Sequence, residues 1–226
     1  MTHPPGTVAL PCGQQARYSQ SAFSMASLEL PPGTRLSMAT GLSIPRSLNT
    51  IIREMSGDWV WFQADDHVFD SGLLMRLLDK DVDVVVPLIV RHIPPFAPVI
   101  FKQQTDIGYE PFAYDEIPAG GLFEVHAAGT GGMLVRRHVL DAVGEPWFEF
   151  SSHEVHNEDL EFCRKIRHAG FQIYADADNI MGHMGVFTIW PDRDESGVGF
   201  KLDFGESTAG AMNEIRVRSP REPVAA

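Results

Sequence analysis

The chain is expected to be an α/β protein with a wound, mostly parallel central sheet covered by helices on both faces. Two observations lead there. Apolar runs too continuous for a one-faced strand, "WVWF" and "VDVVVPLIV", alternate with segments of helical spacing. The order strand, helix, strand, helix, strand, helix, strand is that of a wound sheet. Size agrees: 226 residues, 44% of them hydrophobic, can bury a substantial core in one large domain or two joined halves.

Taken in order, "TVALPCG" reads as a first strand ending in a turn, and "YSQSAFSMASLEL" has helical spacing until "PPGT" breaks it. "RLSMAT" is a second strand. "SIPRSLNTIIREMSG" is a well-signalled helix, with Ser43 as N-cap, Pro45 in the first turn and Gly57 past the end. Leu48, Ile51, Ile52 and Met55 form its core face. "WVWF" follows as a strand buried on both sides, then "SGLLMRLLDK" as a short helix and "VDVVVPLIV" as another buried strand. Residues 91–120, rich in proline and aromatics, read as a substrate-covering excursion with short antiparallel strands. "LFEVHAAGTGGMLVRR" returns to strand and a glycine-rich turn. "RHVLDAV" and "NEDLEFCRKIRHAG" are helices and "FQIYAD" a late strand. The expected layout is one domain over 1–205, with a nucleotide-binding half over about 1–90 and an acceptor and catalytic half over 91–205. Residues 206–226 are expected to be a flexible tail.

Composition excludes some functions. A formal charge of -12 is not that of a general nucleic-acid binder, although a local basic groove stays compatible with it. Two cysteines, Cys12 and Cys163, make no disulfide framework and read as buried thiols in a reducing compartment. No signal peptide and no bilayer-length apolar run stand out, so a soluble, cytoplasmic protein without a membrane partner is expected.

The chemistry-bearing residues begin with "WFQADDHVFDSG". Asp65, Asp66 and His67 follow a buried strand, where ligands of open α/β sheets bind. Two acids and an imidazole packed together repel or lose solvation unless a cation satisfies them, and oxygen ligands with one imidazole suit Mn²⁺ or Mg²⁺ bridging phosphates. The plainer alternative is a polar loop with Asp70 or Ser71 capping the next helix. On the helix from Asn157, Asp159 shares a face with Phe162, Cys163 and Ile166, while Glu161, Arg164, Lys165 and His168 lie opposite, with Glu161 and Lys165 at pairing distance. The helix dipole accounts for Glu158 but not for an acid pointed at the core, which costs several kcal/mol or more without a partner. Asp159 therefore reads as lining a site. His183 projects between Gly182 and Gly185. Gly129, Gly131 and Gly132 admit close approach of a ligand but form neither a dinucleotide fingerprint nor a Walker loop. Arg46 and Asn49 flank the core stripe of their helix and are placed to reach the same crevice.

In this order the segments "VALPCG", "GLSIPRSLNTIIREMSGDWVWFQADDHVF", "GTGGMLVRRHVLDAVG", "NEDLEFCRKIRHAGF" and "GHMG" resemble a GT-A fold glycosyltransferase of the family 2 type, over most of residues 7–187. The resemblance implies a Rossmann-like GT-A sheet and a nucleotide-sugar donor, with UDP as the expected nucleotide. It also implies a divalent ion on the diphosphate, Mn²⁺ or Mg²⁺, at Asp65, Asp66 and His67, with His183 completing the shell. Glu158 and Asp159 match the pair that supplies the catalytic base. Pro11, Cys12, Arg46 and Asn49 match nucleotide-facing positions, and Gly131 and Gly132 are assigned to the donor as well. One departure is Ala64, where the family pattern has an aspartate. Either Asp65 takes over ribose or metal contacts with Asp66 as the direct ligand, or Asp65 and His67 form an Asp-x-His pair.

The compact length and "DDHVFDSGLLMRLL … PFAPVIF" look similar to small phage-type glycosyltransferases, some of which modify hydroxymethylated cytosine in DNA. That resemblance makes DNA a candidate acceptor, in a host cytoplasm if the chain is phage-encoded, with a basic surface sought among Arg136, Arg137, Arg164, Lys165 and Arg167. A saccharide or lipid-linked acceptor, or an inactive nucleotide-sugar-binding module, is the alternative.

Overall fold

The computed structural model describes residues 3–12, 18–106, 108–150, 157–194, 197–204 and 214–218. The first half runs β1 (Thr7–Cys12), α1 (Ser19–Ala26), β2 (Arg35–Thr40), α2 (Ile44–Arg53), β3 (Trp59–Phe62), β4 (His67–Val68), α3 (Leu73–Leu78) and β5 (Val84–Leu88). Next come β6 (Ile100–Thr105), β7 (Gly108–Pro111), a 3₁₀ turn at Tyr114–Glu116, β8 (Leu122–Val125), β9 (Ala127–Ala128) and β10 (Leu134–Arg136). The remainder is α4 (Arg137–Val143), α5 (Glu158–His168), β11 (Ile173–Ile180), β12 (Gly182–His183), β13 (Thr188–Asp194), β14 (Gly197–Asp203) and β15 (Glu214–Arg218).

Seven strands form the central sheet in the order β2-β1-β3-β10-β5-β11-β8. β2, β1, β3, β5 and β11 point one way, and only β10 and β8 are reversed. Period-two alternation sorts the strand side chains onto two faces. Ala9, Val60, Phe62, Val84, Val86 and Val135 meet Leu48, Ile51 and Ile52 of α2, Val139 and Leu140 of α4, and Phe162, Cys163 and Ile166 of α5. Val8, Trp59, Trp61, Val85 and Leu134 meet Leu73, Leu74, Leu77 and Leu78 of α3. Both faces are thus covered, which is why "WVWF" and "VVV" carry no polar alternation. The excursion after β5 holds the antiparallel pair β6–β7, and β6 also pairs with β9.

The helix termini differ from their sequence reading in one detail. Ser43 has the extended backbone of an N-cap, yet its side chain makes no capping bond. Pro45 occupies one of the two positions whose N–H such a cap would use, and it has none to give. The α5 cap is complete, with Asn157 Oδ1 accepting from the Leu160 N–H at 3.1 Å.

Three expectations are corrected. Glu161 is buried rather than solvent-facing, and it pairs with Arg164 at 2.6 Å while Lys165 reaches Glu149 at 2.5 Å. Asn49 does not flank an open crevice: its Nδ2 donates to the Phe148 carbonyl at 2.7 Å and its Oδ1 accepts from the Phe148 N–H at 3.0 Å. This amide staples α2 to the segment before α5. Within the expected tail, Glu214–Arg218 form β15 against β14, the edge of a three-stranded sheet with β13 that periodicity did not reveal.

Because both polar ends of Asn49 serve buried backbone groups, Asn49→Ala should lower unfolding free energy by about 1–3 kcal/mol. Urea denaturation of the two proteins measures this, and nucleotide affinity should not change.

Candidate active site and metal centre

In an open wound sheet the strands' carboxyl ends leave a crevice at the edge, and here Pro11, Phe62 and Pro87 open onto it from β1, β3 and β5. The cleft encloses about 500 Å³ and is lined also by Asp65, Asp66, His67, Glu158, Asp159 and His183. Chain connectivity brings the last of these in. Within β11 the register shifts between Asp176 and Ile180, where fully buried Asp176 accepts from the Asp178 N–H and from Asn179 Nδ2 and pairs with Lys80 at 3.1 Å. The shift redirects the chain so that Gly182–His183 pairs antiparallel with His67–Val68, His183 directly opposite His67.

That register places Asp66, His67 and His183 so that one ligand atom from each lies within 4.8 Å of the others. His183 Nδ1 lies 2.9 Å from the Val90 carbonyl, which can only accept, so Nδ1 carries a proton; Nε2 lies 3.2 Å from Asp66 Oδ2. His67 is 3% exposed, and neither of its ring nitrogens has a hydrogen-bond partner. Burial, then the neighbouring His183, pushes its pKa down to about 4, so the ring is neutral near pH 7 and offers a lone pair. Burial alone would raise the pKa of Asp66, but the hydrogen bond with His183 and the surrounding imidazoles hold it below the ordinary value, as a carboxylate. A buried imidazole with no partner beside a carboxylate and a second imidazole fits a divalent cation. The Asp-His-His group is therefore a possible metal site.

Gly131 belongs to this arrangement. A Cβ there would stand 2.3 Å from His67 Cε1, so the glycine makes room for the imidazole. Gly132 serves the backbone instead. At φ +84° it donates to the Phe62 carbonyl and accepts from Trp61 Nε1, and it does not line the cleft. Its assignment to the donor is corrected to a turn pinned against β3.

α5 also starts at the cleft and presents Glu158 and Asp159. Asp159 Oδ1 accepts from the Thr130 hydroxyl at 2.5 Å. Burial, with Glu158 adding to it and Thr130 opposing, pushes the Asp159 pKa up to about 6. A carboxylate with that value is a stronger base than an exposed aspartate.

Of the residues read from sequence, Pro11, Asp65, Asp66, His67, Gly131, Glu158, Asp159 and His183 come together at the cleft. Arg46 is exposed and outside it, and α2 contributes Ile44 and Leu48 instead. Cys12 closes β1, while its side chain lies outside the described ones. Sequence reasoning missed two residues. Thr130, lying between the singled-out glycines, carries no signal of its own. His92 lies 2.8 Å from His183 Nε2, and its place just past β5 was the available clue.

No family model matches the sequence. The curated relative that matches is a procollagen-lysine,2-oxoglutarate 5-dioxygenase of Drosophila melanogaster, 26% identical over 133 residues, which is 56% of this chain and 17% of that protein. Solved structures are informative about architecture. GalNAc-T7 with UDP, GalNAc and Mn²⁺ superposes at a TM-score of 0.57 with 10% identity, over 78% of this chain and 43% of that one. S. aureus TarS gives 0.53 with 13% identity, over 79% and 36%. A197 from STIV gives 0.52 with 12% identity, over 80% and 94%. The fold is GT-A. This chain thus spans less than half of the TarS and GalNAc-T7 chains it resembles.

Gly131→Ala should cost about 10-fold or more in Mn²⁺ affinity, since the new methyl would stand 2.3 Å from His67 Cε1 and must displace the ring. Isothermal titration of the nucleotide-free protein measures it, and unchanged affinity would remove His67 from the shell.

Proposed function

We propose that the protein is a metal-dependent glycosyltransferase that moves a sugar from a nucleoside diphosphate to an acceptor hydroxyl with inversion. The observation that carries the reading is that two groups line one cleft of a GT-A sheet: the buried, partnerless imidazole of His67 with Asp66 and His183, and the raised-pKa Asp159. Asp66, His67 and His183 would hold the cation, with Asp65 beside them toward the donor. A bound cation neutralises the charge that develops on the departing diphosphate. Mn²⁺ suits two imidazoles better than Mg²⁺, which seeks oxygen; among the similar solved structures, that of GalNAc-T7 contains Mn²⁺ and UDP.

Asp159 takes the proton from the acceptor hydroxyl as that oxygen bonds to the anomeric carbon and the bond to the diphosphate breaks. Thr130 fixes the carboxylate by donating its hydroxyl to Oδ1. The surrounding apolar wall of Leu48, Phe62 and Val99 limits water at the reacting centre.

For the acceptor, the charges favour a saccharide or lipid-linked hydroxyl over duplex DNA. All five cations that would form a basic groove are already engaged. Arg136 donates to the Val82 and Leu78 carbonyls and Arg137 to those of Gly57 and Met55, while Arg164, Lys165 and Arg167 pair with Glu161, Glu149 and Glu124. Hydroxymethylated DNA remains the rival acceptor. One carboxylate with two imidazoles is also the donor set of non-haem iron(II) oxygenases, and the curated relative is a dioxygenase. That reading leaves Asp159 without a role, and turnover of 2-oxoglutarate with Fe²⁺ is its control.

Titration of UDP, GDP and their sugars, with Mn²⁺ and with EDTA, should give metal-dependent binding of one nucleotide. No binding under either condition would refute the donor assignment. Asp159→Asn should cut transfer by about 10²-fold or more with nucleotide affinity kept; loss of both would make Asp159 a structural residue. Because a base works deprotonated, the wild-type rate should rise with pH through about 6 and level off above it. A pH–rate profile of kcat checks the sign, and an activity maximum below pH 6 would contradict it.

A further inference from the structure

We propose that Gln63 reads the donor: its Oε1 accepts a hydrogen bond from a hydroxyl of one of the two sugars that flank the diphosphate. The inference rests on the nucleotide-sugar reading of the cleft, and it gives a task to a residue that the mechanism above does not use. Gln63 directly follows β3, and its N–H still bonds the Ala9 carbonyl of β1 at 2.9 Å. The residue is 1% exposed, and it lines the cleft together with Pro11, Tyr18 and Asp65.

The chain itself orients the amide. One end lies 2.8 Å from the Ala64 carbonyl, which can only accept, so that end is Nε2 and the other is Oε1. The same bond turns the side chain forward, toward the carboxyl end of the strand, since Ala64 is half-buried and lines the cleft too. Oε1 is left buried with no hydrogen-bond partner. Buried amide oxygens of native proteins are nearly always bonded, and one that is not has lost its hydration without return. His67 shows the same deficit and lines the same cleft.

The chemistry of the donor selects the partner. Oε1 can only accept, which excludes the diphosphate, itself an acceptor at neutral pH. Gln63 stands three residues before Asp66 of the candidate cation group, which sets it beside the parts of the donor bonded directly to the diphosphate. Those parts are the ribose and the transferred sugar, and both carry hydroxyls. Methionine would fill nearly the same volume with no oxygen to desolvate.

The test is calorimetric titration of wild type and Gln63→Met with Mn²⁺ present, and thermal melting of both. The probes are UDP and GDP, their 2′- and 3′-deoxy forms, UDP-glucose, UDP-galactose, UDP-N-acetylglucosamine and GDP-mannose. With the ribose as partner, one deoxy form should bind the wild type about 10-fold or more weakly than its parent, and Gln63→Met should bind the two alike. With the transferred sugar as partner, Gln63→Met should bind the nucleoside diphosphate as the wild type does and its sugar conjugate about 10-fold or more weakly. In both cases Gln63→Met should melt no lower than the wild type, because it removes an unsatisfied oxygen. Equal affinities of the two proteins for every probe would overturn the inference, and a lower melting temperature beside them would make Gln63 a core residue only. A wild type that neither loses affinity for a deoxy form nor gains any from an attached sugar reads no hydroxyl, which overturns it without any variant. A wild type that binds no nucleotide overturns the donor reading and this inference together; nucleotide binding that ignores Gln63 overturns this inference alone.

Discussion

A ladder of two residues against two residues is the constraint on which the site depends. His67–Val68 and Gly182–His183 pair antiparallel beyond the carboxyl ends of β3 and β11, in a register that sets His67 opposite His183. A slip of one position would turn the imidazoles to opposite faces, because side chains alternate along a strand. Such a short ladder is not stable alone. It is held from both sides by the main sheet: β3 delivers His67, and β11 with its buried Asp176 network delivers His183. The Met184 N–H adds a bond to the Asp66 carbonyl at 2.8 Å, which fixes the third member.

The position of Asp159 depends on core packing. Phe162, Cys163 and Ile166 are fully buried against the sheet, and that packing sets the rotation of α5 about its axis. Asp159, one turn before Phe162 and Cys163, is thereby turned inward, where Thr130 meets it. Desolvation of a carboxylate is unfavourable, and here it leaves a base whose pKa is close to the pH at which it would work. Two unrelated requirements, a packed core and a poised base, are met by one helical phase.

Much of this was legible in the sequence. The continuous runs of β3 and β5, the boundaries of α4, and the inward phase of Asp159 all follow from periodicity. Asp66, His67 and His183, singled out by type and by position at a strand end or between glycines, do come together as a candidate cation group. What periodicity could not supply was partnership. Arg46 and Asn49 are equivalent on a helical wheel, yet one is exposed and the other spends both ends of its amide on Phe148. Glu161 looked solvent-facing by spacing, but its pairing with Arg164 makes burial tolerable. Gly131 and Gly132 are adjacent and chemically identical, and only three-dimensional contact separates room for an imidazole from a turn. The sheet of β13, β14 and β15 escaped because its strands lie in a polar, weakly periodic part of the chain.

The register shift after Asp176 has a further consequence for how the protein is made. Asp66 and His183 are 117 residues apart, and the second arrives only after β11 has joined the sheet beside β5. A nascent chain that has emerged only through β5 holds Asp66 and His67 but lacks the histidine that completes the candidate group. On the proposed reading, ion capture would be postponed until assembly is nearly finished, and a retained cation would report that both ends of the domain have met.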